Sequence, residues 1–594
     1  MSVRTAMALF DKNTQIKATL DDTEKLVCTV ENAQNINNHT EYTLRLQRGP
    51  CKENRWNVSR RFRDFATLHA ILQQSHIELP LPPKKLIGNM QPTFIAERQV
   101  ALQNYINEVL KHQILALSLH VRSFLDPSNY STAFADQALQ TVSIALRGDG
   151  RYELKGPLHD IGWRIRKHYF SGIKYDDRDP PTSGRAKNTR HFSKNIYLFR
   201  CGTRTRSTAE PRRLSASVFD TESKVKCMLS WQNYGPDKCL CDKDLQAAFK
   251  SLQTLSHPYI DQILAIHNLE SGAYVVRRIH ENGTVRDMLY GTEYSKSYLA
   301  KYGNPRVRKP FTSGQIAHYG YQVLQALKFL HEKGLPHGHI HPGNIAILNQ
   351  RAQLLDVENI LLGGSSLYRP HLLQLRHTNA EAVDVYCFAR TLHEMAFATP
   401  LEDYYCHEYP DCDIELESVL RLCLTSAACK HGQPTIDDLL RHQFFCQAPM
   451  NGLTRMTEDS RTHLKFPIAL KDELRNLVTC FETRLRIEQK LERSARREVR
   501  IQQILGSEEE MKKQRRKMKK RDSVWKSSSS LAETVRSHSA STASSPTPPA
   551  LSAEPCAATC SPPGRVASPS DSRSALLGAI CAFDKTKLSR VSSR

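Results

Sequence analysis

The apolar patterning that can build a core stops near residue 521. From 522 to about 571 Ser, Pro, Thr and Ala dominate. Such a stretch buries too little apolar surface to offset chain entropy, so it reads as disordered. Whatever is compact in this 594-residue chain must come from what precedes it. The apolar share of 40%, below the usual 45–50% or so, fits a tail that never packs. No segment approaches the ~18 apolar residues of a membrane helix. Met1 to Leu20 holds only a short apolar run at Ala6–Phe10, so no secretory signal is expected. The 16 cysteines form no Cys-x-x-Cys pair and read as reduced cytosolic thiols. The net charge of +22 is spread along the chain. It forms no single stripe, so no nucleic-acid partner is expected, while anionic membranes and acidic proteins remain open.

The folded part divides by pattern. Residues 16–130 combine short alternating runs, such as Tyr42–Gln47 and Trp56–Ser59, with helical periodicity over Phe65–Leu72 and Phe94–Leu110. Residues 150–446 form a larger mixed region, interrupted at 174–224 by a basic, aperiodic stretch that reads as an insertion. A charged helix is expected over 468–521. It ends in Met511–Arg521, where eight of eleven residues are basic. A linker over 522–572 leads to a short amphipathic segment at 573–591. The expected fold class is multidomain α+β.

Three spaced motifs stand in the first region: Arg60-Arg61-Phe62-x-Asp64-Phe65, then Pro80-x-x-Pro83-x-Lys85, then Arg98-x-x-x-Leu102-x-x-Tyr105. Any one of these arginines alone would be an ordinary solvated side chain. In this order the set resembles the PX domain, a phosphoinositide-binding module with a small antiparallel sheet and a helical subdomain. The chemistry suits it, because a guanidinium meets a phosphate with a forked pair of donors. The resemblance implies that Arg61 holds the 3-phosphate of phosphatidylinositol 3-phosphate and Phe62 stacks on the ring. It further implies that Lys85 reaches the 1-phosphate and Arg98 the ring hydroxyls, with Leu86 and Ile87 entering the membrane interface.

The second region resembles a bilobal protein kinase whose chemistry is damaged. Ser256–Ile260, Arg277–Glu281 with Gly283–Leu289, Leu324–His331, Asp384–Ala389 and Pro434–Phe445 match successive landmarks of that fold. His337-Gly-His-Ile-His-Pro-Gly-Asn344 stands where the catalytic loop belongs, and Leu354–Glu358 where the magnesium-binding motif belongs. His339 therefore occupies the position of the catalytic aspartate that takes the substrate's proton. By spacing, Ser230 replaces the strand lysine and Ala248 the glutamate that should pair with it. Asn344 and Asp356 match the two metal-binding positions. They imply either a weak residual hold on ATP and magnesium or plain structural hydrogen bonding. His337, His339 and His341 alternate as zinc ligands can, but the kinase pattern already accounts for their spacing, and no metal is expected.

The last segment resembles a WH2 actin-binding motif. Leu577, Ile580 and Phe583 share one helical face, and Lys585, Leu588 and Arg590 follow in an extended strip. The bland alternative is a short helix docking on its own chain. The full order resembles the family of PX-domain proteins that carry a kinase-like domain. That resemblance implies a cytoplasmic adaptor, peripheral on endosomal and plasma membranes, binding actin and membrane-protein cargo such as sodium/potassium pump subunits. The alternative is an unusual active serine/threonine kinase, which would need an ATP-anchoring lysine from elsewhere.

Overall fold

The computed structural model describes residues 20–37, 39–84, 91–147, 150–175, 224–409, 412–446 and 462–534. The contact pattern divides the chain into Met1–Gly506 and Ser507–Arg594. In the second unit the described part, to residue 534, is helical.

The N-terminal sheet runs β1 (Leu26–Ile36), β2 (His39–Arg48) and β3 (Arg55–Arg61) in simple antiparallel order, with a register shift between Val30 and Asn32. Along β2, Tyr42, Leu44 and Leu46 alternate inward, as a half-buried strand requires. Against the sheet lie α1 (Phe62–Leu72) and α2 (Pro92–Lys111). Phe65, Leu68 and Leu72 form the buried stripe of α1. Pro92 opens α2, where its missing N–H costs nothing. The short α3 (Leu119–Leu125) adds Phe124, packed edge-on against Phe65.

A second sheet follows α4 (Phe134–Leu146). Its strands are β4 (Tyr152–Leu158), β5 (Lys167–Tyr175), β6 (Lys224–Asn233), β7 (Ala265–Leu269) and β8 (Gly272–Arg278), in the order β4-β5-β6-β8-β7. Helix α5 (Asp242–Gln253) connects β6 to β7. Below lies a helical lobe with α6 (Val285–Leu289), α7 (Tyr298–Tyr302) and α8 (Ser313–Glu332). The hairpin β9 (Ile345–Leu348) and β10 (Arg351–Leu354) follows, then α9 (Ala380–Phe397), α10 (Ile414–Leu424) and the long α11 (Ile468–Thr534). A five-stranded sheet with one inserted helix above a helical lobe is the bilobal fold expected.

Three expectations change. Ala138, Val142 and Leu146 of α4 share a core with Tyr152, Phe170 and Leu229, so that core starts before residue 150. The stretch read as an insertion at 174–224 includes strand ends, since Tyr175 pairs with Lys224; residues 176–223 lie outside the described residues. Helix α11, expected as a charged helix over 468–521, is also part of the core. Leu470, Leu474, Leu477, Phe481 and Leu485 are buried in the main core, and the helix runs on to Thr534, into the stretch read as linker.

The N-terminal region and the lobes pack directly. Leu299 of α7 belongs to the N-terminal core. Asn304 donates to the Ser75 carbonyl at 2.7 Å. A Cβ on the neighbouring Gly303 would stand 2.3 Å from that same oxygen, so only glycine permits the approach.

Candidate functional site

Two groups of residues carry chemistry. In the N-terminal region, Arg61 ends β3 and Phe62 begins α1. The Asp64 carboxylate accepts from the Arg61 backbone N–H at 2.8 Å and fixes this junction. The Arg61 side chain is 41% exposed, its Nε 3.4 Å from the Glu41 carboxylate. Arg98, on α2, lies with its guanidinium 4.3 Å from the ring centroids of both Phe62 and Phe94. One of its terminal nitrogens donates to the Pro83 carbonyl at 3.2 Å. Its Nε is buried without an acceptor among the described residues. The fold thus gathers Arg61, Phe62 and Arg98 where a phosphorylated ring could be gripped. The Phe62 ring, expected to stack on the sugar, already has the Arg98 guanidinium over it. Lys85, Leu86 and Ile87 lie outside the described residues.

The second group fills the cleft between the lobes. Asp384 of α9, fully buried, accepts from the backbone N–H groups of His337 and Gly338, both at 2.7 Å, and holds the loop between them. The three histidines are then fixed as tautomers. His337 Nε2 must donate to the Leu355 carbonyl at 2.8 Å, so its Nδ1 accepts from the His339 N–H. His341 Nδ1 accepts from the Gly343 N–H, so its Nε2 donates to His339 Nε2 at 3.3 Å. Arg164 donates to that same His339 nitrogen at 3.2 Å. The proton of His339 therefore sits on Nδ1, buried without a partner among the described residues. Burial, then the Arg164 charge, hold the His339 imidazole neutral, well below the usual histidine range.

Arg164 comes from 159–166, the link between β4 and β5. A kinase has its phosphate-cradling glycines there; this link has only Gly162. Arg164 lies 4.5 Å from the Trp163 ring and donates to Asn359 at 2.9 Å. Ser230 stands on β6 between Tyr169 and Val275. Ala248 is packed into the main core. The lysine of the cleft comes instead from β5: Lys167 Nζ donates to Asp356 at 2.6 Å. Arg277, at the inner end of β8, pairs bidentately with Glu358 at 3.1 and 2.5 Å and lies 3.7 Å from Asp356. Burial would raise the Asp356 pKa, but Lys167 and Arg277 hold it far below the carboxylate range. Asp356 adopts a left-handed backbone, φ 57°, which these pairs fix. Asn344 spends its amide on the His339 carbonyl at 2.9 Å. Beside the cleft a cavity of about 50 Å³, lined by Asp21, Trp163, Arg164 and Gly364 among others, is far below the ~300 Å³ of a small-ligand site.

The PX domain family matches residues 50–128, and the protein tyrosine and serine/threonine kinase family matches 219–357. The mouse PX domain-containing protein kinase-like protein is 38% identical over 84% of this chain and 77% of its own length. This chain belongs to the PX domain-containing protein kinase-like family. More distant is the Slowpoke-binding protein of Drosophila melanogaster, 33% identical over 27% of this chain and 33% of its own. The probable inactive serine/threonine-protein kinase slob1 of Dictyostelium discoideum is 29% identical over 33% and 37%.

In this family member the fold brings His339, Asn344 and Asp356, named from the sequence, together with Arg164 and Lys167, which were not named, and with Arg277, which was named only as a fold landmark. The last three act across long separations in the chain. The one local signal was a pair of adjacent arginines, Arg277-Arg278, in a stretch with strand character. The residues Leu577, Ile580, Phe583, Lys585, Leu588 and Arg590 lie outside the described residues.

Proposed function

We propose that this chain is a peripheral membrane adaptor: its PX domain docks on phosphoinositide membranes and its kinase-like domain serves as a catalytically closed scaffold. The observation that carries the closed scaffold is the occupancy of His339. Its single basic nitrogen already accepts from Arg164 and His341, so no lone pair is free to take a substrate proton. The place of the magnesium ions is served by Lys167 and Arg277 against Asp356. The headgroup is phosphatidylinositol 3-phosphate, bound by Arg61 and Arg98 with Lys85, on endosomal and plasma membranes. Cargo is a membrane protein, channel or pump, in line with the relative named for binding Slowpoke. The C-terminal strip binds actin, so the chain links membrane cargo to the cytoskeleton in receptor trafficking.

Thermal unfolding of the full chain with ATP and magnesium tests the scaffold: no shift in Tm is expected. The active-kinase reading keeps one specific support, because Lys167 is a lysine beside the magnesium aspartate. A magnesium-dependent rise in Tm that disappears in Lys167→Met, with phosphate transfer to a protein substrate, would establish that reading instead. For the membrane site, flotation with phosphatidylinositol 3-phosphate vesicles should weaken at least tenfold in Arg61→Gln. Equal flotation would remove Arg61 from the site.

A further inference from the structure

Residues 20–24 lead into β1 and lie against the lobes. Arg122 of α3 donates to the Glu24 carbonyl at 2.9 Å and ties this stretch to the N-terminal region. The Thr23 N–H and hydroxyl both donate to the Asp21 carboxylate, at 2.9 and 2.6 Å, and fix its turn. Two carboxylates reach outward from that turn. Asp21 accepts from the Ser365 hydroxyl at 2.7 Å and from Arg484 of α11 at 2.9 Å. Asp22 accepts from Arg166 Nε at 3.0 Å and from the Tyr130 hydroxyl at 2.8 Å. Leu20 packs against the cluster of Tyr130, Phe134 and Ile165.

Ile165 and Arg166 belong to the β4–β5 link, directly after Arg164. Leu20 and Asp22 therefore hold the link that presents Arg164 to His339. Asp21 holds the opposite wall of the same seat. A Cβ on Gly364 would stand 3.0 Å from a terminal nitrogen of Arg164, and the next residue, Ser365, is the one that donates to Asp21. The cavity of about 50 Å³ beside the cleft is walled by 20–23 together with Trp163 and Arg164.

We propose that residues 20–24 are an autoinhibitory latch that clasps the β4–β5 link to the segment after Asp356 and so keeps Arg164 seated on His339. This rests on the closed-scaffold reading and carries it from the cleft to the N-terminal region. Asp22 acts through Arg166 and the link, and is a positioning residue. Its pair with Arg166 is mostly enclosed, the side chains 19% and 22% exposed, so this charge-assisted bond is a firm one. Releasing it frees the link, lifts Arg164 and returns a lone pair to His339.

Diethyl pyrocarbonate, which acylates an accessible unprotonated imidazole nitrogen, tests this on the full chain, with peptide fragmentation to assign the modified histidine. In the parent His339 should react slowly, because its basic nitrogen accepts from Arg164 and His341. In Asp22→Ala, and in Arg166→Gln from the other side of the pair, His339 should react about tenfold faster, as a local opening requires. His257, stacked on Phe329, should stay protected in both. Should Asp22→Ala fail to fold, Asp22→Asn keeps the size and takes its place. His339 as protected in the variants as in the parent would overturn the latch and leave the closed scaffold standing. Equal gains at His257 would also overturn it, because the stretch would then hold the whole fold and not the link. Fast reaction of His339 in the parent would overturn the closed scaffold itself, and the latch with it.

Discussion

At Asp356, two buried cations depend on one carboxylate. Removing it in Asp356→Ala leaves Lys167 with no anion at hydrogen-bonding distance and takes a partner from Arg277. Breaking a buried pair in this way costs about 3–5 kcal/mol. The expected result is a clear fall in Tm with no ATP present, which differential scanning fluorimetry reads. A protein in which Asp356 awaited magnesium would lose ligand response and little stability. Asp21 offers the matching pH test. Burial would raise its pKa, but Arg484 and Arg369 bring it down to about 2 from 3.8. The folded value is depressed, so its stabilisation is present above about pH 4 and is lost as pH falls through 2. The full contribution is about 2 kcal/mol. In Asp21→Asn, denaturant midpoints between pH 4 and 2 should flatten relative to the parent.

Helix α11 shows what sequence pattern can and cannot disclose about an element. Its helical state was legible from composition, because charged, straight-chain residues favour helix. Its docking was not, although Leu470, Leu474, Leu477, Phe481 and Leu485 recur at spacings of three and four. Charges on the other faces dilute that stripe, so the segment reads only as a charged helix. The strand order of the upper lobe was hidden for a different reason: β5 and β6 are separated by 48 residues of polar chain, and pairing across such a gap leaves no local trace. The docking has a sharp consequence along the helix. Leu477→Ala, 2% exposed, should cost about 2–5 kcal/mol. Ile504→Ala, 54% exposed on the same helix, should change the chemical-denaturation midpoint hardly at all. Equal effects would mean that α11 is held by its charges rather than by its leucines.

At the scale of the whole molecule, acid sensitivity follows from where the histidines are buried. The kinase-like pattern disclosed the fold because its landmarks are short and ordered. It could not disclose that so many imidazoles are stored dry. His257 stacks on Phe329, with centroids 4.8 Å apart, and accepts from the Tyr259 N–H. His377 and His393 are also enclosed. Burial pushes each of the three down to about 4 from 6.5. In the unfolded chain each takes up a proton as pH drops below 6.5, while in the folded chain it stays neutral until about 4. Acid therefore favours unfolding through that whole window, and the loss stops growing below it as far as these groups are concerned. The expected outcome is a constant urea midpoint above pH 7, then a fall summing to several kcal/mol by pH 4.5. His257→Gln removes one of the three groups, so its curve should be lower at pH 7 but shallower between 6.5 and 4.5. A slope unchanged by that substitution would place the acid sensitivity in the carboxylates instead.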